Sequence, residues 1–322
     1  MACAQTIDRT FFAMGSPGRI VATVVDADAI DDALEELERL EQCWSRFRAS
    51  SELNEIGRGE GYRGPVSSRL RGVLIAAQQL WRATDGLFDP TIRERLEALG
   101  YDRPFGQITG SELRTDNCDS VARRVDGRTV HAGFDEVQLG DGRQVVVPCG
   151  VTLDVGGIGK GLAADLLAAR LVAGGVTRVI VSLGGDVRCA GASEVDATWQ
   201  VPVEDPCRPD HILFEHSCRG TAIVTTTTRY RRWMHNGDEV HHVIDPRLGT
   251  PAQNGVLAVV ATAPTAWWAE GIAKAALVAG PDAAVDVLER CGVGGWVFLE
   301  DGRIRQTLDV AAIAGHRWVP CS

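Results

Sequence analysis

No stretch of the chain approaches the run of about eighteen apolar residues that a membrane-spanning helix requires. No fixed-period repeat or low-complexity tract is present either. Positive charge is in short supply: 33 Lys and Arg against 43 Asp and Glu leave a net charge of −10. That excludes the broad basic face of a nucleic-acid binder and means that any phosphate ligand is held locally. Cysteine occurs nine times, at 3, 43, 118, 149, 189, 207, 218, 291 and 321, but never as CxxC or beside a histidine cluster. The cysteines therefore read as reduced thiols rather than metal ligands. The opening MACAQTIDRTFFAMG lacks the basic start, apolar run and cleavage site of an export signal, and a cytoplasmic location without membrane insertion is the expectation.

What is present is an ordinary packed globule: 45% hydrophobic and 24% charged residues in 322, enough for one large domain or two fused lobes. An apolar strand is expected at 19–25 after the Gly15 to Gly18 turn. Ile30, Ala33, Leu34, Leu37, Leu40, Trp44 and Phe47 recur at helical spacing, with Asp28 as the cap and an acidic outer face. Further helices are expected at 68–83, shortly after FDPT, at 162–173 and at 265–279. Residues 102–147 look irregular, with strand pieces at 136–139 and 144–147. The run VTLDV, the loop GGIGKG, a helix and RVIVSL together read as a β-loop-α-β unit. Asn236-Gly237 and Asp301-Gly302 mark hairpin turns.

Several of these features can carry chemistry. Glycines between a strand and a helix let backbone amides approach a phosphate, and Lys160 adds positive charge there. The loop matches neither the P-loop nor the GxGxxG pattern, and close packing alone would also call for its glycines. Asp154 and Asp186 stand at strand ends, where ligands of open sheets bind and where aspartates also cap turns. In HHVIDPRLGTP one of His241 and His242 can face a pocket, as a proton acceptor or as a structural histidine. The threonines at 225–228 suit phosphate contacts or a β-branched strand equally. Glu270 and Lys274, four apart on a helix, form at least an ordinary ion pair.

Taken in order, SRFRASSEL at 45–53, FDPT at 88–91, LDVGGIGKGLAAD at 153–165, VSLGGDV at 181–187, HHVIDPRLGTP at 241–251 and AEGIAKAAL at 269–277 resemble the ApbE family of FAD:protein FMN transferases over about residues 11 to 300. The resemblance implies an α+β fold of two interleaved lobes with FAD in the cleft between them. It also implies a single domain at 11–310, with terminal extensions at 1–10 and 311–322. Met14, Phe47, Leu87, Phe88 and Asp89 would contact the flavin or adenine portions, with Asp154 and Lys160 nearer the ribose and pyrophosphate and Asp186 among the other FAD contacts. His242 to Ile244 would line the reacting end. The implied activity is transfer of FMN from FAD to a threonine or serine hydroxyl of an acceptor flavoprotein, with release of AMP and His242 as the base.

The family's magnesium site pairs an Asp with a Thr four residues later and adds backbone carbonyls of the glycine loop. The matching positions here are Glu270 and Lys274, with Gly157 in the loop. An ammonium cannot coordinate a metal, so Lys274 is expected to supply part of the charge that Mg²⁺ would otherwise bring. The stretch TTTTRYRRW replaces a Ser-Gly-Asp-Tyr segment common in the family. Two alternatives stay open: water or a small-molecule alcohol as acceptor, and an FAD-binding protein without catalysis.

Overall fold

In the computed structural model, which describes residues 5–24, 28–108, 124–125, 128–129, 133–193, 195–206 and 208–308, the first apolar run becomes the strand Ser16–Val24. Its alternate residues Ser16, Gly18, Ile20, Ala22 and Val24 are buried, the period-two pattern of a strand with one face on a core. Gln5–Ala13 pairs with it through a turn at Met14 and Gly15, both with positive φ (50° and 67°).

The described residues fall into two compact units: Met1–Glu41 with Gly157–Thr227 and Gln253–Ser322, and Gln42–Gly156 with Thr228–Ala252. The proposed extension at 311–322 lies outside the described residues.

The first unit is built on an eight-stranded sheet whose neighbours all pair antiparallel. The order is Gln5–Ala13, Ser16–Val24, Arg178–Leu183, Asp186–Gly191, Ala222–Thr227, Val256–Ala263, Gly294–Leu299 and Ile304–Gln306. Helices α5 (Gly159–Ala173) and α6 (Ala266–Ala279) pack on the sheet and on each other, and α7 (Ala284–Arg290) packs on α6. The hairpin Thr198–Asp205/Arg208–Arg219 supplies Val201, Val203 and Cys218 to a core with Cys189, Ile223, Ala258, Val260, Trp296 and Phe298. The threonines at 225–227 fill the strand Ala222–Thr227, and the Thr227 hydroxyl donates to the Leu257 carbonyl.

The second unit holds α2 (Glu52–Ile56), α3 (Ser68–Ala83) and α4 (Arg93–Ala98), and a three-stranded sheet of Arg58–Pro65, Gln144–Thr152 and Gln138–Leu139. α3 starts where Ser67 Oγ accepts the Leu70 amide, an N-cap bond worth about 1 kcal/mol. The amphipathic helix α1 (Asp28–Trp44) begins at Asp28, which therefore lies in its first turn rather than before it. The Asn236-Gly237 hairpin forms as expected, with φ of 51° and 88°, between Arg232–His235 and Asp238–His241.

Two expectations are corrected. The runs before and after the glycine loop do not form a β-loop-α-β unit: Gln144–Thr152 belongs to the three-stranded sheet, and Arg178–Leu183 pairs antiparallel with Ser16–Val24 and Asp186–Gly191. The helix after the loop begins at Gly159, not Leu162, and takes in half of the glycine motif; Gly161 within it lies so close to the start of α6 that a Cβ would meet the Ala266 backbone at 2.7 Å.

Candidate active site

In the first unit, the start of α5 places Lys160 in its first turn. A Cβ on Gly161 would come within 2.7 Å of the Ala266 carbonyl carbon and 2.8 Å of the Trp267 nitrogen, so a glycine is needed for α6 to begin this close to α5. One turn further along α5, Asp165 caps α6 from outside that helix. Its Oδ1 accepts the Ala266 amide and its Oδ2 the Trp267 amide, both at 3.0 Å, while Arg188 Nε lies 3.0 Å from Oδ1. Burial raises the Asp165 pKa despite these bonds.

The same approach of helices brings Glu270, only 1% exposed, against the glycine loop. Glu270 Oε1 accepts from Lys160 Nζ at 2.8 Å and from Lys274 Nζ at 2.9 Å, and Oε2 accepts the Gly161 amide at 2.9 Å. Asp186 follows the Gly184-Gly185 turn, and its Oδ2 forms an ion pair with Lys160 Nζ at 3.1 Å. Gly184, at φ 63°, leaves space for the lysine stem: a Cβ there would stand 3.1 Å from Lys160 Cδ.

Two carboxylates and two ammoniums thus share one buried cluster. Burial pushes the Glu270 carboxyl up, but Lys160 and Lys274 outweigh it and hold it at about 2. Asp186 moves the other way, to about 6, raised by burial and by Glu270 against the opposing pull of Lys160. Burial lowers the Lys274 pKa, with Glu270 working against that fall. The arrangement puts fixed positive charge at the head of α5, where a helix N-terminus already favours anions.

The cluster does not fit the magnesium that the resemblance implies. Both Glu270 oxygens already accept from nitrogen donors, and Lys274 stands where a hydroxyl ligand would be required. Among the described residues, no group of three or more His, Cys, Asp or Glu could hold a metal ion. Gly157 sits in the turn before α5, three residues ahead of Lys160.

In the second unit, Phe47 and Asp154 are joined through a residue between them in space, Arg46. Its side chain is 4% exposed, its Nε lies 2.9 Å from Asp154 Oδ2, and its guanidinium carbon lies 4.1 Å from the Phe47 ring centre and 4.6 Å from that of Tyr101. Asp154 Oδ1 accepts the Gly156 amide at 2.6 Å. Tyr101 continues the stack to Phe105 and Trp233, and Ile244 packs in the same cluster. Phe88 is buried with Leu87 half-buried beside it, and Asp89 accepts from the Thr91 amide and hydroxyl at 2.8 and 2.6 Å. Burial raises the Asp89 pKa against those bonds.

The two histidines separate clearly. His241 ends the strand Asp238–His241 and is 4% exposed, with Nε2 3.1 Å from the Ala252 carbonyl and Nδ1 accepting the Val243 amide at 3.3 Å. His242 lies beyond the strand, in a bend, and is half-buried, so strand alternation does not decide its direction as expected. Met14 belongs to the first unit, where its amide donates to Glu41 Oε2 at 2.8 Å.

Sequence patterns do not single out Arg46 or Asp165. Both lie inside family motifs, SRF and GKGLAAD, yet their partners Tyr101, Asp154 and Ala266 are distant along the chain. A capping aspartate is sought just before its own helix, not on another one.

Residues 14–295 match the profile of the ApbE family. The chain belongs to that family. Curated relatives include the FAD:protein FMN transferase of Salmonella typhimurium, 26% identical over 244 residues (74% of this chain, 67% of the relative). The FAD:protein FMN transferase of Treponema pallidum is 28% identical over 301 residues (88% and 80%). Among solved structures, the ApbE protein of Thermotoga maritima superposes with a TM-score of 0.83 at 26% identity, covering 97% of this chain and 100% of that one. The apo flavinyl transferase ApbE of Pseudomonas stutzeri gives 0.78 at 22% identity, covering 97% and 98%. The α+β architecture is that of the family, and no helix of the described residues is long and apolar enough to cross a membrane.

Proposed function

We propose that this chain is an FAD:protein FMN transferase, which moves FMN from FAD onto a threonine or serine hydroxyl of an acceptor flavoprotein and releases AMP. The observation that carries the reading is the pair of ammoniums, Lys160 and Lys274, set at the glycine loop of an ApbE-family chain. A pyrophosphate is the part of FAD that calls for such fixed charge. In the step itself, the acceptor oxygen forms a bond to the FMN-side phosphorus and the bond from that phosphorus to the AMP oxygen breaks. Lys160 and Lys274 stabilise the charge that gathers on the phosphate oxygens. The hydroxyl proton goes to His242, since His241 uses both ring nitrogens on backbone groups and is not available as a base.

For the rest of FAD, Met14, Phe47, Leu87, Phe88, Asp89, Asp154, Asp186 and Ile244 are the proposed contacts. Asp154 is engaged through both oxygens by Arg46 and Gly156, which supports a role in holding Phe47 and the loop in place as much as in touching the ribose. A cytoplasmic location is part of the proposal, supported by Cys43, Cys149, Cys189 and Cys218, which form no disulfide among the described residues.

The test is to incubate the protein with FAD and several flavin-acceptor domains, weigh the acceptors by intact mass spectrometry, and follow AMP by chromatography. One FMN gained per acceptor with matching AMP is the expected result. AMP with free FMN would make the protein a hydrolase, and bound FAD without AMP would make it a binding protein.

A further inference from the structure

The Glu270 carboxylate is the most completely satisfied acidic group of the first unit's cluster. It is 1% exposed, and three donors converge on its two oxygens at 2.8 to 2.9 Å. A small divalent cation binds a carboxylate oxygen at about 2.1 Å and keeps several further oxygen ligands. Here it would have to displace two ammoniums from Oε1 and leave them crowded against it. With Asp186 3.1 Å from Lys160, the cluster holds two carboxylates and two ammoniums and is balanced without a further cation.

Lys274 has more to give than this ion pair uses. An ammonium carries three N–H donors, and among the described residues Lys274 Nζ donates to Glu270 Oε1 alone. Its side chain is 19% exposed, so the remaining donors are not sealed in the core. The i,i+4 spacing on α6 holds the ammonium in place from within one helix. Lys160 is held as firmly by Glu270 and Asp186, with Gly184 making room for its stem.

We infer that the Lys274 ammonium occupies the locus of the divalent cation, so that this chain binds no metal at Glu270 and presents lysine N–H donors to the FAD pyrophosphate instead. The inference rests on the FMN-transfer reading for its substrate, but its account of the cation stands apart from it. Lys274 acts as a fixed point charge: it donates hydrogen bonds to phosphate oxygens, gives up no proton, and opens no coordination site. The protein would therefore transfer FMN in the absence of divalent metal. Replacing Glu270 and Lys274 together by Asp and Thr would restore a metal site on the same helix.

The experiment counts Mn²⁺ bound per chain by electron paramagnetic resonance, with and without FAD, in the parent and in the Glu270→Asp/Lys274→Thr double variant. Circular dichroism checks folding, and FMN transfer is followed in parallel with and without a chelator. The parent is expected to bind no stoichiometric Mn²⁺ and to keep its rate in chelator. The double variant is expected to take up one Mn²⁺ per chain. Lys274→Thr without metal should slow transfer by about 100-fold or more, the usual effect of removing one donor to a developing charge. One Mn²⁺ per parent chain, lost in Glu270→Gln, would overturn the inference, as would a folded double variant that binds none. Absence of transfer under every condition would defeat the FMN-transfer reading alone, because the Mn²⁺ count does not depend on turnover.

Discussion

Gly161 lies against Ala266 at a distance that no other residue could tolerate: a Cβ would meet the Ala266 carbonyl carbon at 2.7 Å and its oxygen at 2.8 Å. Both contacts are with backbone, which cannot rotate aside. In an open helix, glycine to alanine stabilises by about 1 kcal/mol. Gly161→Ala is expected to reverse that sign and cost about 1–3 kcal/mol, as overpacking does, read as a lower urea midpoint at unchanged slope. Because the Gly161 amide donates to Glu270 Oε2, the same variant should weaken FAD binding.

Asp165 carries a second expectation. It accepts the first two amides of α6 and pairs with Arg188. Asp165→Ala removes a cap and strands the Arg188 Nε. A loss of about 2–4 kcal/mol is expected, above the usual single-cap range because a partly buried charge also loses its partner. Asp165→Asn, which keeps one acceptor oxygen, should recover part of it in thermal or urea unfolding.

How far the sequence foretells this arrangement depends on how local the cause is. α3 is legible to the residue because Ser67 caps it and its apolar face repeats at helical spacing. The Asn236-Gly237 hairpin is legible because its turn needs two positive φ values. Lys160, Asp186, Glu270 and Lys274 stand out as motif residues, but the convergence of Lys160 and Lys274 on one Glu270 oxygen does not, since it depends on the close approach of α5 and α6, which lie a hundred residues apart in the chain. VTLDV and RVIVSL both read as strands, yet what separates them into different sheets is pairing with Arg58–Pro65 for one and Ser16–Val24 for the other. Such pairing is non-local, and nothing in either run encodes it.

Arg46 gives a third expectation. Its guanidinium stands over both the Phe47 and the Tyr101 ring, and Asp154 is its nearest counter-charge. Asp154→Asn keeps the size of the side chain and an acceptor for the Gly156 amide, but leaves a buried cation with only the more distant Glu97, 3.9 Å from its Nη1, as counter-charge. Breaking one side of a buried pair costs about 3–5 kcal/mol, and a loss near the lower end is expected because the aromatic faces still hold the cation. FAD titration by fluorescence should show weaker binding, since Phe47 loses the partner that orients it.

His241 makes stability depend on pH. Its Nδ1 accepts the Val243 amide, so the Nε2 proton faces the Ala252 carbonyl and the neutral ring satisfies both partners. Protonating Nδ1 would break the Val243 bond. Burial lowers the His241 pKa below its usual value, Arg232 pushes the same way, and the Ala252 carbonyl and Glu239 oppose. The unfolded chain therefore takes up this proton first. The contribution is fully present above the unfolded value of about 6.5 and is lost as the pH falls from there toward the lower folded pKa, with a limiting slope of about 1.4 kcal/mol per pH unit for one proton. Urea unfolding at a series of pH values should show that decline in the parent, and a shallower one in His241→Gln. An unchanged slope in the variant would assign the acid sensitivity to other groups.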